Sequence, residues 1–345
     1  DILTNFINRE KAKYAMIFWY LSPLSFFSQF IFGQYDIFYV FFMMLGISYF
    51  VKERYLIGSI FFGVSFTFKY FPALIFLILL VYVFKNKPLQ ILKHSILGLL
   101  PLTIIFLIYG DSESFRLVVF HNPASLMGFT RMLNDGISNG VAQASFFAIT
   151  YFILLLSSLI LLQNYNKKTH ILLSVVTVSL FAIFVDWNPQ WILFSSSLMA
   201  LLPFVVGNVS NNFSLEKYSL LDILLMLFFT GYVAFTWPWN VDVNMLNNLP
   251  LLRGINPLTP DTSTNLAFIF SLGNRISLDL ARNIYYSGFV STWVFVLIFS
   301  FGMNFFGFTP KSAESNWLIR KSIYLRFVVG VSIFLLPSLV LLFWG

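Results

Sequence analysis

Long apolar runs separated by short basic turns set the pattern of this chain. Residues 14–31, 38–51, 221–237, 293–308 and 327–344 are nearly continuous hydrophobic stretches. About 20 apolar residues in a helix cover the ~30 Å hydrocarbon core of a bilayer. The pattern predicts crossings at 14–31, 36–51, 94–109, 143–162, 170–185, 191–207, 219–236, 288–306 and 326–344. One further apolar stretch, 55–84, lies between Lys52-Glu53-Arg54 and Lys85-Asn86-Lys87 and is interrupted at its centre by Lys69-Tyr70-Phe71-Pro72. Proline cannot continue a helix without losing a hydrogen bond. Two short helices meeting at that tetrapeptide are therefore expected, with the tetrapeptide at the outer face or dipping into a polar cavity, the settings where irregular backbone is tolerated at such depth. The expected fold is all-α, a polytopic transmembrane helical bundle of about 9–11 membrane segments, with residues 1–345 as one transmembrane domain.

Composition strengthens this reading. Hydrophobic residues make up 58% of the 345 and charged residues 10%, against about a quarter charged in soluble domains; mean hydropathy is +0.81. There are no cysteines, which excludes disulfides, zinc–thiolate sites and thiol catalysis. The three histidines, His94, His121 and His170, stand apart and argue against a histidine-built metal site. No internal repeat and no Ser/Gly-rich or Pro-rich linker divides the chain. The sequence opens Asp1-Ile2-Leu3 without a methionine or a signal peptide, so a preceding segment is expected.

Charge sets the orientation. With the N-terminal segment inside, Arg9, Lys11, Lys13, Lys52, Arg54, Lys85, Lys87, Lys93, Lys167, Lys168, Lys217, Lys311, Arg320, Lys321 and Arg326 lie on the cytoplasmic side, fifteen of the 21 basic residues. Lys69, Arg116, Arg131, Arg253, Arg275 and Arg282 remain outside. An excess of Lys and Arg in short loops marks the cytoplasmic face. The outer face then carries two long loops, 110–141 and 238–287, and any chemistry belongs there, because long loops commonly carry function. Five of the six outer cations are arginines. Guanidinium binds phosphate oxygens in a bidentate fork, which suits a phosphate-bearing ligand; pairing with acidic residues of the same loops would also account for them.

Several polar residues stand where a membrane makes them costly. Gly33-Gln34-Tyr35-Asp36 opens the second crossing. Asp36 there is either a helix cap favoured by the helix dipole or part of a patch, with Gln34, that holds a sugar or phosphate at the boundary. Lys69 is the one outer lysine. It either snorkels to the interface or pairs with Asp36 or a lipid phosphate. Asp186-Trp187-Asn188-Pro189-Gln190-Trp191 makes a tight outer turn. Asn-Pro is turn chemistry, and Asp186 and Gln190 beside tryptophans also suit a sugar. In the first long loop His121 and Arg131 are candidates for a phosphate, with His121 also able to act as a base. Asn134-Asp135-Gly136 reads as a turn.

Phe18-Trp19-Tyr20-Leu21-Ser22-Pro23, Gly33-Gln34-Tyr35-Asp36 and Phe68-Lys69-Tyr70-Phe71-Pro72 together resemble the GT-C class of integral membrane glycosyltransferases. The likeness is to the polyprenyl- or dolichyl-phosphate-mannose-dependent mannosyltransferases, the GPI mannosyltransferases and their bacterial relatives among them. It is best over residues 14–84 and weaker to about 207. Asn188-Pro189-Gln190-Trp191 resembles their outward Pro-Gln-aromatic turn. Ser22 departs from the asparagine common before that proline. The resemblance also implies a catalytic carboxylate in an outer loop that would precede Asp1, a role not transferred to Asp36.

What the resemblance implies is transfer of a mannose-like hexose from a polyprenyl-phosphate donor to a lipid or glycan acceptor on the outer face. A carboxylate would deprotonate the acceptor hydroxyl, and cations would neutralise the phosphate leaving group. Lys69, Arg131 and His121 are expected on the phosphate side, and Asp36, Gln34, Asp186 and Gln190 around the sugar. Membrane lipids are the remaining partners. No nucleotide-binding motif is present, which fits a lipid-linked donor. Nucleic acid is not an expected partner, and a divalent cation is the one cofactor left open. A lipid-linked oligosaccharide flippase or other transporter is the rival reading. Such folds tend to show internal repeats and midplane polar groups, whereas here the polar groups gather at one face. An O-antigen-type polymerase or ligase also pairs outer arginines with a large outer loop, and a purely structural membrane subunit is a third alternative.

Overall fold

The structure, a computed structural model, describes residues 3–26, 36–117, 119, 132, 136–138, 143–160, 167–185, 189–206, 215–236, 278–302, 324 and 326–328. The described residues are mostly helical. The helices are α1 (Arg9–Tyr20), α2 (Pro23–Phe26), α3 (Asp36–Val51), α4 (Tyr55–Phe68), α5 (Pro72–Phe84), α6 (Pro88–Tyr109) and α7 (Glu113–Arg116). They continue with α8 (Phe146–Ile160), α9 (Lys167–Phe184), α10 (Leu193–Val206), α11 (Leu215–Thr236) and α12 (Leu278–Gly302). Among the described residues α6 alone, at 22 residues, is long and apolar enough to cross a membrane, and α3, α4, α5 and α8 are shorter apolar helices.

The expectation of helices throughout needs four corrections. The first crossing is not continuous: α1 ends at Tyr20 and α2 starts at Pro23, because a proline disfavours helical geometry in the residue before it. The stretch 143–145 is not helix but strand β2 (Gln143–Ser145), paired antiparallel with β1 (Gly136–Ser138). Ser145 ends the ribbon. Its hydroxyl donates to the Met132 carbonyl and accepts from the Ala148 amide, capping the start of α8. Helix α6 begins at Pro88, six residues before the predicted crossing, since proline suits the first helical position. Helix α12 begins at Leu278, so Arg282 sits in a helix and not in the second outer loop.

The chain divides into two compact units, one of Asp1–Met16 and Tyr35–Val205, the other of Ile17–Gln34 and Val206–Gly345. In unit 1, α5 is the central helix and packs on α3, α4, α6, α8 and α9. Its Ile75, Ile78, Leu79 and Leu80 are buried. The helices alternate in direction. Phe50 lies beside Tyr55 while Phe38 stacks on Phe68, so α3 and α4 run antiparallel. Tyr55 meets Phe84 and Phe62 meets Phe76, so α4 and α5 fold back on each other about Lys69–Pro72, the hairpin expected from Pro72. Phe84 and His94, then Phe76 and Gly98, make α5 and α6 antiparallel in turn.

Small residues let these helices approach closely. A Cβ on Gly63 would stand 2.3 Å from the Gly98 carbonyl oxygen and 2.8 Å from the Pro101 ring. Small-residue contacts of this kind are how apolar helices pack in lipid. The turn between α3 and α4 is tight enough to put Glu53 at φ 63°, with its amide and that of Arg54 bonded back to Phe50 and Tyr49. The outer side of unit 1 stays apolar. Leu89, Leu107 and Ile108 on α6 and Phe152, Ile153 and Ile160 on α8 are all more than half exposed.

In unit 2, α11 and α12 run antiparallel. Gly231 faces the Tyr285 ring and Gly288 faces the Phe228 ring. Tyr232–Tyr286 and Phe229–Phe289 ring pairs lie beside them.

Candidate functional site

The alternation of α3, α4 and α5 places the N-terminus of α3, the C-terminus of α4 and the N-terminus of α5 at one end of unit 1. Lys52, Arg54, Lys85 and Lys87 occupy the turns at the other end. Asp36 in the first turn of α3 and Lys69 just past α4 therefore come together, with Lys69 Nζ 3.4 Å from Asp36 Oδ1. A helix N-terminus favours the carboxylate. Lys69 leaves the helix in extended geometry, φ −152° and ψ 145°, its amide still bonded to the Ser65 carbonyl.

Asp36 is 1% exposed and the Lys69 side chain 20%, so the lysine is the more open member of the pair. Neither Asp36 oxygen has an aligned hydrogen bond; the lysine sits at ion-pair distance but off hydrogen-bond geometry. Tyr39, one turn along α3, is fully buried, and its hydroxyl has no hydrogen-bond partner. It lies within electrostatic reach of Asp36. The Tyr39 carbonyl accepts from the Ser65 hydroxyl at 2.7 Å, tying α3 to α4 beside the pair.

Aromatic rings support Lys69 from the other side. Its Nζ is 5.9 Å from the Trp191 ring centroid, within cation–π range. Trp191 lies against Phe71 at 4.9 Å, and Phe71 against Phe181 at 4.7 Å. The position of Lys69 is thus coupled to α9 and to the 3-10 turn Pro189–Ile192. Tyr151 donates to the Leu74 carbonyl at 2.8 Å and anchors the first turn of α5 to α8.

Of the residues singled out in the sequence, Asp36 and Lys69 are brought into contact. Gln190 lies in the Pro189–Ile192 turn next to Trp191. Gln34, His121, Arg131 and Asp186 lie outside the described residues. Arg116, one of the outer arginines, closes α7 and donates to the Asp111 carbonyl at 3.4 Å, a contact within its own loop. Sequence reasoning passed over Tyr39, which reads as one more aromatic in an apolar helix, and treated Trp191 as an interfacial residue. Among the described residues no three His, Asp or Glu side chains gather to hold a metal. The Asp36 carboxylate already faces an ammonium, and the pair does not fit a divalent cation.

A second ionic cluster was not anticipated. In unit 2, Arg326 pairs with Asp222 of α11, and its guanidinium carbon lies 4.2 Å from the Phe18 ring centroid. Arg326 and Asp222 are 1% and 4% exposed. Arg326, expected among the basic residues of the cytoplasmic surface, is instead buried. The signal available was Asp222 itself, a lone carboxylate inside an apolar run.

No family model matches the chain, and no curated protein or solved structure matches it either.

Proposed function

We propose that the chain is the membrane body of a glycosyltransferase that crosses the bilayer several times and takes a hexose from a polyprenyl-phosphate carrier. The observation that carries the reading is the Asp36–Lys69 pair, set at the end of unit 1 opposite the basic turns, with a buried carboxylate and a more open lysine. An ammonium at this end is a ready donor for phosphate oxygens. The apolar exposed sides of α6 and α8 support several helices in lipid, since large exposed apolar surfaces mark interaction sites in proteins that live in water.

In the reaction, an acceptor hydroxyl oxygen attacks the anomeric carbon and the bond from that carbon to the phosphate oxygen breaks. The polyprenyl phosphate leaves with the bonding pair, and the acceptor proton passes to a general base. No residue of this chain is assigned as that base. Lys69 stabilises the charge that develops on the leaving phosphate. Arg131 and His121 are assigned to the same phosphate, and Gln34, Asp186 and Gln190 to the sugar. The acceptor is a lipid or glycan on the outer face.

The test is transfer in liposomes by the full-length protein with polyprenyl-phosphate sugars. Wild type is expected to transfer, and Lys69→Ala and Asp36→Ala to fall at least about tenfold, a loss of ~1.4 kcal/mol of transition-state stabilisation. Intact transfer by both variants would leave the pair a helix cap and a snorkelling lysine. Movement of a lipid-linked glycan across the bilayer without transfer would establish the transporter reading instead.

A further inference from the structure

We propose that the Asp36–Tyr39–Lys69 cluster reads a free hydroxyl on the sugar carbon next to the anomeric phosphate. The inference rests on the glycosyl-donor reading above and adds the substrate specificity of the same site.

Three buried or half-buried polar groups meet here with incomplete partners. Lys69 reaches Asp36 Oδ1 at 3.4 Å, longer than the 2.7–2.9 Å typical of a charge-assisted hydrogen bond. Both Asp36 oxygens and the Tyr39 hydroxyl lack a hydrogen-bond partner although they are buried. Buried polar groups are nearly always hydrogen-bonded, so this cluster is short of donors. A carboxylate accepts only, and a tyrosine hydroxyl donates or accepts. The missing complement is an O–H group. The ammonium, by contrast, needs an acceptor.

A ligand that satisfies both carries an anionic acceptor and a hydroxyl donor side by side. A sugar 1-phosphate has that arrangement, with phosphate oxygens at the anomeric carbon and a hydroxyl on the adjacent carbon. A phosphatidylcholine headgroup lacks the adjacent hydroxyl and a free sugar lacks the anionic acceptor; a phosphatidylglycerol headgroup carries both but has no anomeric carbon to transfer. The lysine stem is flexible. The ammonium swings onto the phosphate, and the carboxylate it uncovers takes the hydroxyl, with Tyr39 behind it one turn along α3. The cluster thus selects sugars that carry a hydrogen-bond donor on the adjacent carbon and rejects those in which it is absent.

The experiment compares polyprenyl-phosphate mannose with its 2-deoxy and 2-acetamido-2-deoxy counterparts, on full-length wild type, Asp36→Asn and Tyr39→Phe. Transfer in liposomes is one readout. Binding of short-chain prenyl-phosphate versions in micelles, by calorimetry, is the other, and it does not depend on turnover. Wild type is expected to lose at least about 100-fold in kcat/KM with the 2-deoxy analogue, in line with rejection by sites built around a hydroxyl, and less with the 2-acetamido analogue, whose N–H can still donate. In Asp36→Asn the gap should shrink below about tenfold, because the discriminating contact is the one removed. Equal binding and use of the 2-deoxy donor by wild type would overturn the inference while leaving the donor reading intact. Absence of both binding and transfer with every polyprenyl-phosphate sugar would sink the donor reading and this inference with it.

Discussion

Asp36–Lys69 in unit 1 and Asp222–Arg326 in unit 2 each join a carboxylate to a cation among apolar helices, yet their surroundings differ. The first has an open member: the Lys69 side chain is 20% exposed and lies beside the edge of an aromatic cluster. The second has none. Arg326 and Asp222 are both buried, and the guanidinium is closed off by the Phe18 ring. A pair reached by solvent can exchange its partner for a ligand group at modest cost. A fully buried pair cannot, because breaking it strands a charge away from water. The contrast supports the proposed ligand role for the first pair and gives the second pair a place between apolar helices.

The largest effect expected from breaking this contrast is in unit 2. Arg326→Ala should destabilise the protein by about 3–5 kcal/mol, the cost of leaving Asp222 buried and unpaired. Chemical denaturation in micelles measures it. The double change Asp222→Leu with Arg326→Met should recover most of that loss, since an apolar replacement of a buried pair is often neutral or better. Failure to recover would mean that the pair does more than position helices.

Next in size is packing in unit 1. Gly63→Ala puts a methyl against the Gly98 carbonyl and the Pro101 ring, and overpacking of this kind costs roughly 1–3 kcal/mol. A thermal melt of the variant should show the loss; an unchanged melt would mean that α4 and α6 yield more readily than their backbone approach implies.

Lys69→Ala should do the reverse of Arg326→Ala. It should lower transfer at least about tenfold and cost less stability than Arg326→Ala, because Lys69 is the more open member of its pair, although the Asp36 carboxylate is left buried. A large stability loss with Lys69→Ala would erase the distinction between the pairs. The smallest effect is a gain. Glu53→Gly should raise stability by about 0.5–1 kcal/mol, because glycine adopts the φ of 63° without the strain a side chain brings. The same melts resolve it.

Part of this site was legible in the chain. Pro72 dictates a break, so the hairpin of α4 and α5 followed from one residue and the basic turns on either side. The same break brings Lys69 to the end where Asp36 begins α3, which is why the pairing could be foreseen. Tyr39 could not be. Its place beside Asp36 depends on which face of α3 is covered by α4, and the aromatic residues of α3 occur all around the helix. The ring of Trp191 reaches Lys69 only because Phe71, Phe181 and Trp191 stack across α5, α9 and the turn before α10.

Taken alone, the order of residues determined the local events: helices from apolar runs, the hairpin at Pro72, and the interruption that Pro23 imposes once the preceding residue's backbone is considered. These depend on near neighbours, whose backbone geometry and hydrogen bonding act over a turn or two. Tertiary structure decided which polar groups meet and which of them stay open. Arg326 became a buried partner of Asp222 instead of a surface charge, and Asp36 became the hidden half of a pair whose lysine is the more open member. Burial and exposure are set by contacts between distant segments, and the cost of a charge depends on that environment more than on its place in the chain.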